Sequence, residues 1–145
     1  MRLALGIIVF CLIAPLAHAQ EITVDNFWLR ESIPGQPNGA AFGIVENNSA
    51  MDAFLIGADI DIAEVVEVHQ HLHENGQMRM VQMEALVIPA GERVELRPGG
   101  YHLMLIGLKE PLVADTTHEM TLIFNDGTSI VVEVPVRALM NHGNH

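Results

Sequence analysis

From Glu21 onward no stretch of this chain sustains the 3.6-residue apolar period of an amphipathic helix; short β-branched and apolar runs alternate with turn residues instead. That pattern restricts the chain to a nearly all-β domain. It predicts strands at Ile22–Arg30, Ala40–Asn47, Ala53–Asp59, Val65–His71, Met78–Met83, Glu92–Leu96, His102–Gly107, Glu119–Asn125 and Ser129–Val136. Pro34-Gly35 and Asn47-Asn48 suit turns, Pro89-Ala90-Gly91 and Pro98-Gly99-Gly100 break pairing, and Asn125-Asp126-Gly127 is a hairpin signal. About nine strands in one compact domain imply a Greek-key sandwich or barrel.

The first nineteen residues have the layout of a cleavable secretory signal: Arg2, an apolar run from Leu3 to Ala14, then Ala17-His18-Ala19 ahead of Gln20. Cleavage there leaves 126 residues, enough for one domain with its own core. The expected division is a signal over 1–19, a β domain over 20–137 and a tail over 138–145. The one cysteine, Cys11, falls inside the signal, and Ile8-Val9-Phe10 before it lack the small residues of a lipid-attachment site. A mature chain without thiols must build any soft-metal site from other donors. Losing Arg2 leaves six basic against 18 acidic residues, a net charge of about −12, which makes nucleic acid and anionic membrane poor partners. No later segment approaches a membrane-spanning length, and the mature protein is expected to be a monomer that does not insert into membrane.

The chemistry concentrates in one window. Of seven histidines and seven methionines after the signal, His69, His71, His73, Met78, Met80, Met83, His102 and Met104 lie within 36 residues. On strands, residues two apart share a face, so His102 projects with Met104, His69 with His71, and Met78 with Met80. Thioether is a soft neutral ligand and imidazole a borderline one, a mixture that favours Cu(I) over zinc, magnesium or calcium. Thioethers also cannot form disulfides in an oxidising compartment. Met51, Met83 and Met120 read as core filler, and His118 as an ordinary surface or core histidine. His73-Glu74-Asn75-Gly76 reads as the start of a turn.

The spacing adds a resemblance. His69 is followed by ten residues and Met80, and Met80 by twenty-one residues and His102-Leu103-Met104. This resembles the periplasmic copper chaperones of the PCuAC type, as do Val66-Glu67-Val68-His69, Met78-Arg79-Met80, Ile88-Pro89-Ala90-Gly91 and Pro98-Gly99-Gly100-Tyr101. The likeness runs from about Ile22 to Val136. It implies a cupredoxin-like fold, a periplasmic location, and a Cu(I) site made by His69, Met80, His102 and Met104. It also implies delivery toward the dinuclear copper centre of cytochrome c oxidase, through an oxidase subunit or a thiol-containing copper chaperone. His71 stands where the family often has methionine, which makes His71 and Met78 auxiliary candidates and raises the prospect of Cu(II), which prefers nitrogen. The tail, with Met140, His142 and His145, is similar to His/Met-rich extensions of some members and is a second candidate for Cu(II).

Other readings fare worse. A blue-copper electron carrier needs a cysteine thiolate, absent after the signal. A cupin-type metalloenzyme would use His69-Gln70-His71, but Val94 stands where its second motif wants histidine. Ser32, Ser49 and Ser129 sit in no nucleophile elbow, and no glycine-rich loop opens a helix. The expectation is a binding protein and not an enzyme, with copper buffering as the alternative to delivery.

Overall fold

The computed structural model describes residues 21–139. The signal expected over 1–19 and the tail donors Met140, His142 and His145 lie outside the described residues. Ten strands follow in order: β1 (Ile22–Arg30), β2 (Gly39–Asn47), β3 (Ala53–Asp59), β4 (Ala63–Glu74), β5 (Gln77–Met83), β6 (Leu86–Ile88), β7 (Arg93–Leu96), β8 (Tyr101–Leu108), β9 (Thr117–Phe124) and β10 (Ser129–Arg137). No helix occurs among the described residues. The all-β, cupredoxin-like class is the observed one.

Seven strands close a ring in the order β4-β8-β2-β1-β10-β9-β3, and Ala58 of β3 opposite Val66 of β4 completes it. Three strands attach outside the ring by sharing an edge with a ring member. Beyond Val66 the edge of β4 passes from β3 to β5, and beyond Ala41 the edge of β2 passes from β8 to β7. β6 likewise takes the early part of β3, Ala53–Leu55. β5 is therefore an edge strand, carried on a β4 long enough to outrun the barrel.

Residue parity decides what faces outward. Val68 on β4 and Leu103 and Leu105 on β8 are buried in the core, so their neighbours Glu67, His69, His71, His102 and Met104 must point to the opposite face of the sheet. On β5, Met83 packs against the core opposite Val68, which sends Gln82, Met80 and Met78 to the same outer face. A one-residue slip would bury the histidines and expose the leucines.

β1 changes parity midway. A register shift between Asp25 and Trp28 marks a bulge, with Asn26 in the left-handed region (φ 52°). Before it Ile22 and Val24 pack on the core; after it Phe27 and Leu29 do. Trp28 and Arg30 are thereby turned onto the outer face, beside β2.

Two expectations are corrected. Met51 is not core filler: it is 77% exposed, in the loop after β2. It serves through its backbone, its carbonyl accepting from Nδ2 of the buried Asn47, which also donates to Ile88 and so ties β6 to β2. His73 does not start a turn either. β4 continues to Glu74, and the turn is Asn75-Gly76, both with positive φ (51° and 75°), the two-residue hairpin form. Met120 is fully buried and Met83 half-buried against the core, as expected.

Candidate metal centre

On the outer face of β8-β4-β5 the registers bring the histidines and methionines together in rungs. Glu67 lies opposite Met104, His69 opposite His102, His71 opposite Met80, and His73 opposite Met78. Residues directly opposite have Cβ atoms about 4.5–5.5 Å apart. The His69 and His102 rings are 5.8 Å apart between centroids, and those of His71 and His102 5.1 Å. A hollow of about 190 Å³ opens beside them, lined by His71, Met80, His102 and Met104 together with Arg30 and Phe42.

His102 is the buried member, 4% exposed. The Pro98-Gly99-Gly100 turn, with Gly99 at φ 83°, presents the Gly100 carbonyl to both the His71 amide (3.2 Å) and His102 Nδ1 (3.4 Å). A carbonyl can only accept, so the His102 hydrogen sits on Nδ1 and Nε2 keeps its lone pair. Burial holds the His102 pKa below the usual histidine value; the Gly100 carbonyl opposes this, and His71, His69 and Arg30 reinforce it. A neutral imidazole with a free Nε2 is the form a metal binds.

His69 is held the other way round. Its Nε2 lies 2.8 Å from the Glu67 carboxylate, which can only accept and so draws a hydrogen to Nε2 and makes Nδ1 the nitrogen available to a metal. Nδ1 of His69 and Nδ1 of His71 are both buried and meet no hydrogen-bond partner among the described residues. Such a buried, unpartnered nitrogen costs about 1–3 kcal/mol, and ligation by a soft cation would satisfy it. Met80 is 51% exposed, so the centre reaches the surface through a thioether. Among the described residues no three His, Cys, Asp or Glu side chains are placed to share one ion. A site of three imidazoles is thus not assembled, whereas one completed by thioethers needs only two.

A second layer comes from β1 and β2. Phe42 stands 6.3 Å from the His102 ring and 4.7 Å from Trp28, with the Arg30 guanidinium 5.0 Å over Phe42 and that of Arg137 5.0 Å over Trp28. This stack buries His102 although it lies outside the barrel. Sequence reasoning missed Glu67 and Phe42. Glu67 carried a signal, standing two residues before His69 on one strand face; Phe42 carried none, being set there by long-range pairing.

Comparison with known proteins adds a family. A model of the LpqE-like family matches residues 22–136. The chain belongs to the LpqE-like family. This LpqE-like chain is 36% identical over 124 residues to a Leifsonia xyli subsp. xyli protein named "Putative lipoprotein Lxx21020", covering 85% of this chain and 74% of that one. Among solved structures it is similar to copper(I)-bound DR1885 of Deinococcus radiodurans, with 30% identity, a TM-score of 0.62 and 83% of each chain covered. It shares its fold with the copper-bound PCuAC domain of PmoF2 at a TM-score of 0.69 and 24% identity, over 82% of this chain and 94% of that domain.

Proposed function

We propose that this protein carries copper: it binds one Cu(I) ion through His69, Met80, His102 and Met104, and hands it on by ligand exchange in the cell envelope. The observation that carries this reading is the cross-strand assembly of two imidazoles, each with one nitrogen engaged by the protein and the other without a partner among the described residues, beside two thioethers, one of them exposed. The copper(I)-bound relative at 30% identity supports it, and the lipoprotein name of the Leifsonia relative supports export. The PCuAC resemblance supports the periplasm as the compartment and the dinuclear copper centre of cytochrome c oxidase as the destination, reached directly or through a thiol-containing chaperone. His71, which faces Met80 and lines the same hollow, is an auxiliary donor, and as a further nitrogen ligand it is, with the tail, a place where Cu(II) would be held at a secondary site.

Transfer begins at the exposed end. A partner's sulfur or nitrogen displaces Met80, the ion is shared between the two proteins, and the remaining bonds break singly. Thioethers make this possible because each Cu–S bond lost uncovers no charge. The role is carriage rather than catalysis.

The test is an anaerobic Cu(I) competition titration of the purified protein, followed by incubation with the copper-binding domain of an oxidase subunit. One tightly held equivalent that moves to that domain is expected; retention in its presence would make the protein a buffer, and no uptake would sink the reading. Because imidazole must be neutral to bind, affinity is expected to fall as pH drops below about 6. The share carried by His102, whose pKa is lowered by burial, falls at lower pH than that of a solvated imidazole. An affinity flat from pH 8 to 5 contradicts histidine ligation.

Glu67 should act as a positioning residue. Outer partners of ligating histidines typically contribute about 10–100-fold in affinity, so Glu67→Ala is expected to weaken Cu(I) binding by about tenfold without changing stoichiometry. Glu67→Gln, which still offers an oxygen to His69 Nε2, should recover part of that loss. Equal affinity in all three proteins would exclude the role.

A further inference from the structure

The ladder of rungs does not stop at the hollow. One step beyond His71 and Met80, toward the hairpin tip, His73 of β4 lies directly opposite Met78 of β5. Strands advance about 3.3 Å per residue, so this rung lies about 7 Å from the previous one, and its Cβ atoms stand as close as those of any cross-strand pair. His73 is exposed and Met78 is 60% exposed, against 51% for Met80 and 4% for His102. Exposure thus rises stepwise along one line of His/Met pairs, from the buried centre to the solvent.

Two features mark the pair as built. The Asn75-Gly76 turn, with positive φ at both positions, locks the two-residue hairpin and with it the register that sets His73 against Met78. The hairpin also separates its side chains by face: the Glu74–Arg79 ion pair (3.2 Å) occupies the side opposite the ladder, and Met78, Met80 and Gln82 of β5 share the ladder side with His69, His71 and His73. Met78 has no core to fill at this position, and its thioether is left free to bind.

We propose that His73 and Met78 form an outer Cu(I) docking site, through which the ion enters and leaves the inner centre by way of His71 and Met80. This inference rests on the copper-carrier reading above. Each step exchanges one Cu–N or Cu–S bond for another, the ion remains Cu(I), and no electron is transferred. The outer pair supplies two donors against four inside, so it loads and empties quickly while the inner centre sets the affinity.

The experiment is stopped-flow transfer of Cu(I), under anaerobic conditions, from the loaded protein to excess bicinchoninate. His73→Ala/Met78→Ala is expected to bind one equivalent with wild-type affinity yet to release it about tenfold more slowly, a barrier higher by about 1.4 kcal/mol. Met51→Ala, which removes an exposed methionine elsewhere, should match the wild type. In a His102→Ala/Met104→Ala background, X-ray absorption should show a weakly held Cu(I) with nitrogen and sulfur neighbours, lost when His73 and Met78 are also removed. A release rate unchanged in the double variant would overturn the outer site, as would loss of inner affinity, which would make the pair part of the centre itself. A wild type that takes up no Cu(I) would instead overturn the carrier reading on which it stands.

Discussion

Replacing His102 with alanine is expected to weaken Cu(I) binding by at least about a hundredfold, close to 2.7 kcal/mol, and to leave the barrel folded. His102 is the one ligand candidate that is almost wholly buried, and the Gly100 carbonyl holds its ring with Nε2 free. Burial also keeps that ring neutral, so it enters the bond without first losing a proton. Loss of a ligand should cost at least the upper end of what loss of its outer partner costs, about 100-fold. Met80→Ala should cost less, because its thioether is half in water already and His71 stands directly opposite to take its place. The order His102 over Met80 is therefore the discriminating result. An anaerobic competition titration measures it, with far-UV circular dichroism and Trp28 fluorescence as checks on the fold. A His102→Ala protein that binds within threefold of wild type would remove His102 from the centre.

The reason so much of this site was legible is that strands read in steps of two. Val68, Leu103 and Leu105 are buried, and their alternation with His69, His102 and Met104 assigns the latter to the other face before any pairing is known. Nine of the ten strands follow from the same runs. β6 escaped because Leu86–Ile88 is three residues long, too short to show a period, and it is held by the Asn47 side chain reaching to the Ile88 carbonyl. The β4–β5 turn was legible in His73-Glu74-Asn75-Gly76, but the strand before it was ended at His71, three residues short of Glu74, which hid the His73–Met78 rung. What local pattern could not supply was register. That His69 meets His102, or that Phe42 roofs the buried ring, follows from strand order around the barrel. The bulge at Asn26 is similar: nothing in Ile22–Arg30 announces that parity reverses after Asp25, yet Trp28 and Arg30 reach the site only because it does.

That reversal underlies the largest expected loss of stability. Phe27, the first inward residue after the bulge, lies flat over Gly43 of β2, so close that a Cβ at position 43 would fall among the ring atoms Cγ, Cδ2 and Cε2. Phe27 is 3% exposed and packed among core residues, so its ring cannot swing out into solvent without giving up that burial. Gly43→Ala is therefore expected to destabilise the protein by about 3 kcal/mol, at the upper end of what overpacking costs. Gly91→Ala separates this effect from a backbone one. Gly91 sits at φ 73° with no atom near its would-be Cβ, so alanine there should cost only about 1–2 kcal/mol of left-handed strain. Denaturant melts of both variants measure the difference. Shrinking the ring should relieve the clash: Phe27→Leu is destabilising alone but should cost less, or even restore stability, when Gly43 is alanine, a coupling of the size contacting residues show, about 0.5–3 kcal/mol. Simple additivity of the two substitutions would mean that the ring and the glycine do not meet. Coupling would instead establish that Gly43 is glycine so that the bulge can seat Phe27 inward, and with it set Trp28 and Arg30 on the face where His102 lies.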